Sequence, residues 1–100
     1  MAHVALAQRA YDDLERLVEF LAVDDPRAAA EALELILEAL QVLARHPLIG
    51  RPVENGLHEL VISQGRTGYV ALFDFYSDED TVMVLAVRHQ REAGFEPKPE

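Results

Sequence analysis

The sequence predicts a two-layer α+β domain in the order strand, helix, helix, strand, strand, strand, with a helical hairpin on one face of a mainly antiparallel sheet. Three observations predict it. Residues 8–46 carry apolar side chains at helical spacing, broken once at Asp24-Asp25-Pro26. After Pro47 the spacing changes to short β-branched and aromatic runs punctuated by Gly, Pro and acidic turns. One of these runs, Val82-Met83-Val84-Leu85-Ala86-Val87, is apolar throughout, as in a central strand covered on both sides or nearly so.

Val4–Leu6 is short and apolar and can pair as a strand before a helix begins near Gln8. Ala10, Leu14, Leu17, Val18 and Leu21 then form the stripe of an amphipathic helix, with Asp12, Asp13, Glu15, Arg16 and Glu19 on its other face. Tyr11 is expected at the helix–sheet contact. Asp25 is a good N-cap and Pro26 suits the first helical position, where a missing N–H costs nothing. The second helix is expected from Pro26 to about Arg45, with a stripe of Ala29, Leu33, Ile36, Leu37, Leu40, Leu43 and Ala44. Arg45 and His46 suit the negative end of its dipole, and Pro47 stops it.

His46–Pro52 reads as loop. Leu57–Ser63 reads as a strand, Gly65–Gly68 as a turn, Tyr69–Tyr76 as an aromatic strand, Ser77–Asp80 as a four-residue hairpin loop and Thr81–Val87 as the last strand. Tyr69 and Phe73 share one strand face, Leu72 and Tyr76 the other, a spacing that suits core packing better than base stacking. The tail 95–100, with Pro97 and Pro99, is expected to fray, leaving a single domain over 1–94.

Composition bounds the function. The 100 residues include no cysteine, which excludes disulfides and thiolate metal sites. His3, His46, His58 and His89 have no metal-ligand spacing, so neither a metal nor another cofactor is expected. No apolar run reaches membrane length, and Met1-Ala2-His3 lacks the basic start of a signal peptide, so the expectation is a cytoplasmic protein without membrane contact. The net charge of −9 opposes loose binding to polyphosphate. Its distribution matters more. Residues 1–44 hold nine acids and three arginines, whereas residues 45–91 hold six acids and five arginines, with three of the four histidines. Solvated acidic helix faces explain this asymmetry, and so does a site in the Arg/His-bearing half.

Three local signatures in this order resemble the RelE/ParE superfamily of bacterial type II toxin–antitoxin toxins, over roughly residues 4–91. They are the helix exit Leu40-Gln41-Val42-Leu43-Ala44-Arg45-His46-Pro47-Leu48-Ile49-Gly50-Arg51-Pro52, then Leu57-His58-Glu59-Leu60-Val61-Ile62 ahead of a Gly/Arg turn and Gly68-Tyr69-Val70-Ala71-Leu72-Phe73, and last Val84-Leu85-Ala86-Val87-Arg88-His89-Gln90-Arg91. ParE-like plasmid stabilisation proteins are the subfamily that looks closest. The resemblance implies a curved sheet under the helical hairpin and a small antitoxin as partner, with a homodimer or a hetero-oligomer with the antitoxin as the assembly. It implies either of two targets: DNA gyrase for ParE-like members, or messenger RNA on the ribosome, cleaved without a metal, for RelE-like members.

Metal-free RNA cleavage needs a base for the 2′-OH, an acid for the 5′-oxygen and cations for the phosphorane. Arg88, His89 and Arg91 cluster at the exit of the last strand, and Arg66 lies in a turn that antiparallel pairing can bring near them. On the nuclease reading the catalytic residues are Arg66, Arg88 and His89, with Arg66 and Arg88 at positions that match basic positions of the family. On any reading Arg66, Arg88, His89 and Arg91 are the binding candidates, and each is also readable as an ordinary turn or strand-end residue. Arg51, between Gly50 and Pro52, is expected to be structural, bonding the free carbonyls at the helix end. The sequence departs from RelE-like nucleases in its basic residues: its single lysine is Lys98, and Phe95 has no hydroxyl. These departures rank a gyrase-binding toxin ahead of a ribonuclease, with a non-toxic family remnant as the third reading.

Overall fold

The computed structural model describes residues 1–64 and 67–90. The chain runs β1 (His3–Leu6), α1 (Gln8–Asp24), α2 (Pro26–Arg45), β2 (Arg51–Pro52), β3 (His58–Gln64), β4 (Thr67–Tyr76) and β5 (Thr81–His89). The five strands lie in the order β1-β5-β4-β3-β2. β1 pairs in parallel with β5, and the other three pairings are antiparallel. The expected α+β layering is thus present, with two strands placed at the sheet's edges that periodicity does not place. β1 returns beside the last strand, and β2 forms inside the expected loop.

The helical hairpin turns on one residue. Asp25 is extended, and its Oδ1 accepts the N–H groups of Arg27 (3.1 Å) and Ala28 (3.3 Å), with Pro26 opening α2. Ala10, Leu14 and Leu17 of α1 are buried, as are Ala29, Ala32, Ile36, Leu40 and Leu43 of α2. Tyr11 does not join them. It is 57% exposed, because a helix turns about 100° per residue and Tyr11 leaves the Ala10-Leu14-Leu17 stripe on the solvent side. Leu37 likewise lies at the stripe's margin and is exposed.

Phe73, Val82, Val84 and Val87 are fully buried beneath the helices, in one core with Tyr69, Ala71 and Ile62. Two details set the register. Asn55 and Gly56 take positive φ (64° and 75°), which turns the chain so that Arg51 pairs with Glu59 and Pro52 with His58. The loop entering β2 then passes so close to the sheet that a Cβ on Gly50 would strike the Glu59 carbonyl, and would lie 2.9 Å from Phe73 Cε1.

The second detail is a bulge. Phe73 pairs with Val84 and Leu72 with Ala86, so Leu85 is an extra residue on β5. Val82 and Val84 face the helices, and an unbulged strand would send Ala86 and Arg88 to that same side. The extra residue reverses the alternation, so Val87 enters the core instead. The Val82–Val87 run is apolar throughout because its residues off the core face are covered too, Met83 and Leu85 in part and Ala86 fully.

Candidate functional site

Among the described residues both helices lie on one side of the sheet, and the face away from them is its open face. Strand alternation and pairing put Glu59 and Val61 of β3, Val70, Leu72 and Asp74 of β4, and Met83, Ala86 and Arg88 of β5 on it. Val61, Val70 and Arg88 form one cross-strand row, and Glu59, Leu72 and Ala86 another. Val61 is 41% exposed, whereas Val70 and Ala86 are buried. This side is largely apolar, with Arg88 at one end and an ion pair at the other.

The ion pair is Arg51–Glu59. Arg51 Nε and Nη2 both lie 3.0 Å from Glu59 Oε1. Arg51 is thus structural in a different way from the expected one: β2 pairing carries it to Glu59 on the neighbouring strand and away from the carbonyls at the end of α2. Those carbonyls are met by the chain itself, where the His46 N–H donates to the Val42 carbonyl at 3.0 Å.

Arg88 and His89 are neighbours in sequence but leave β5 on opposite faces. Arg88 is paired with Val70 on the open side, and its Nη1 donates to the His89 (3.1 Å) and Gln90 (3.2 Å) carbonyls. The guanidinium therefore wraps the end of its own strand. His89 is paired with Tyr69, and its ring meets that tyrosine edge-on at 5.6 Å on the helix side. Burial raises the Tyr69 phenol above its ordinary pKa. Arg66 and Arg91 lie outside the described residues, as does the tail 95–100.

His58 also faces the helix side, stacked on Phe73 at 5.5 Å, with its Nδ1 buried and lacking a hydrogen-bond partner among the described residues. Among the described residues no group of three or more His, Asp or Glu side chains is placed to hold a metal ion, and no helix is long and apolar enough to cross a membrane.

Asp13 escaped the sequence reading, which placed it on the solvated face of α1. Its Oδ2 accepts the Val87 N–H at 2.9 Å, joining α1 to β5. Helical spacing carries no sign of this bond, since it depends on where β1 ends. The Arg51–Glu59 pair did have a signal: Asn55-Gly56 is a turn dipeptide, with Arg51 four residues before it and Glu59 three after it.

A family model described as the ParE toxin of the type II toxin-antitoxin system, parDE, matches residues 4–94. Toxin RelE3 of Caulobacter vibrioides is 37% identical over 92 residues, covering 92% of this chain and 98% of its own length. The structure of a chromosomal ParDE system from P. aeruginosa has a chain that superposes with a TM-score of 0.72 at 23% identity, over 87% of this chain and 94% of that one. A chain of the RelBE2 toxin-antitoxin complex from Mycobacterium tuberculosis superposes with a TM-score of 0.61 at 27% identity, over 91% and 93% of the two chains.

Proposed function

The chain belongs to the ParE toxin family of type II toxin–antitoxin systems and is a toxin with an antitoxin as partner, and on that premise we propose that it acts by binding DNA gyrase through the open face of its sheet. One observation carries the choice of mechanism. Arg88 and His89 point to opposite sides of the sheet, so among the described residues no histidine stands beside Arg88 on the open face. Of the two carboxylates on that face, Glu59 is held by Arg51, and Asp74 pairs with Met83, on the far side of the bulge from Arg88. Metal-free acid–base cleavage at a phosphate needs a proton donor and a proton acceptor converging on one site. An apolar face with an arginine at its edge is instead the composition of a protein-binding patch.

The test is direct. Purified toxin is added to gyrase in a supercoiling assay and to ribosomes carrying message. Inhibited supercoiling with trapped, cleaved DNA and intact message supports the gyrase reading; message cut at codon boundaries with gyrase unaffected overturns it. The ribonuclease reading draws on the relative named RelE3 and the RelBE2 likeness. It requires that His89→Ala abolish cleavage, whereas the gyrase reading expects His89→Ala to retain inhibition. Induced expression with normal growth would mark a non-toxic remnant.

A further inference from the structure

We propose that Asp13 is a positioning residue for Arg88: from α1 it holds β5 in the bulged register that puts Arg88 on the open face. The functional consequence rests on the reading of that face as the target-binding surface; the placement itself does not.

The need for such a device follows from the topology. β1 accompanies β5 only as far as the Leu6–Val84 pair, and the Ala7 N–H closes that edge on the Val84 carbonyl at 2.8 Å. The chain then turns into α1. The bulge at Leu85 begins where β5 loses β1, so among the described residues the half of β5 that carries Arg88 is paired with β4 on one side only. An edge carrying an extra residue can slip by one, and a one-residue slip returns Arg88 to the helix side.

Asp13 meets this stretch at its second residue after the bulge. Its carboxylate accepts the Val87 N–H at 2.9 Å, which fixes the peptide plane one residue ahead of Arg88. The side chain is only 13% exposed, unlike the solvated acids around it. Arg9 Nε approaches Oδ2 at 3.9 Å from one helical turn before, and Arg16 Nη2 approaches Oδ1 at 3.7 Å from one turn after. These two cations flank the carboxylate, which is aimed across the helix–sheet boundary. The bond is made to a single backbone donor, and the position of that donor sets the facing of the residues after it.

The full chain is compared with Asp13→Ala and Asp13→Asn, the latter keeping an acceptor oxygen, by nuclear magnetic resonance. In the parent chain the Val87 amide should be protected from solvent exchange, and Arg88 should show cross-strand contacts to the Val70 methyls. Asp13→Ala should lose both and Asp13→Asn should keep them. An unprotected Val87 amide in the parent chain, or Arg88–Val70 contacts unchanged in Asp13→Ala, overturns the proposal. Should Asp13→Ala fail to fold, amide exchange in the parent and Asp13→Asn chains decides. Gyrase inhibition per folded molecule supplies the functional arm. Arg88→Ala and Asp13→Ala should each weaken it roughly tenfold or more, and the double variant no further than Arg88→Ala alone. Additive losses, or a melting temperature lowered without loss of inhibition, mark a merely structural Asp13 and overturn the positioning role. If Arg88→Ala itself inhibits gyrase fully, the reading of the open face fails while the resonance measurements still judge Asp13.

Discussion

The two faces of this sheet are built from the same strands and solve opposite problems. On the helix side, Phe73, Val82, Val84 and Val87 are sealed from water, and two amphipathic helices supply matching stripes. On the open side, Val61 is exposed, Glu59 is neutralised by Arg51, and Arg88 stands at the edge. Residues one position apart thus fall under different pressures. Burial governs Phe73, whereas Leu72, on the open face, is only partly buried. The bulge at Leu85 is where one strand passes from one rule to the other.

The sharpest contrast to break is between Phe73 and Leu72. Phe73→Ala should cost about 3–5 kcal/mol of folding stability, the range for deleting a buried ring. Leu72→Ala should cost only about 1 kcal/mol, and its main effect should be weaker target binding. Denaturant unfolding of both variants checks this, and equal losses would mean that the open face is a second core. Gly50→Ala should cost about 1–3 kcal/mol, because the added methyl meets backbone at Glu59 and the Phe73 ring together. Asp25→Ala should cost about 1 kcal/mol by leaving the first N–H groups of α2 without their acceptor, measured in the same way.

Alkaline pH sharpens the comparison differently. The Tyr69 phenol is raised above its ordinary value by burial, so above pH about 10 the unfolded chain loses this proton while the folded chain keeps it. Stability should therefore fall as pH rises through that range, and Tyr69→Phe should flatten the fall in thermal melts. The smallest effect on stability belongs to Val61→Ser, within about 0.5 kcal/mol, yet this variant should lose inhibition if the open face binds the target. Full activity would move the binding surface elsewhere.

Much of the fold was legible because local chemistry carries it. The stripe Ala10-Leu14-Leu17, the Asp25-Pro26 start of α2, the four residues between Tyr76 and Thr81, and the core side of Tyr69 and Phe73 all follow from spacing and turn chemistry. The alternation rule alone would also separate Arg88 from His89, but it applies only once β5 is known to continue past Val87 to His89. The sequence reading ended that strand at Val87, so it treated the two residues as one cluster.

Net charge, its concentration in residues 1–44, the two helices and the three consecutive antiparallel strands were determined by the sequence itself, since each depends on residues close together in the chain. The tertiary structure alone decided the rest. It brought β1 beside β5, carried Arg51 to Glu59, placed the bulge that turns Arg88 outward, and set Asp13 on the Val87 amide. Each of these joins segments far apart in the chain or shifts a strand by one residue. Periodicity is blind to both, because a register has no meaning until a neighbouring strand supplies it.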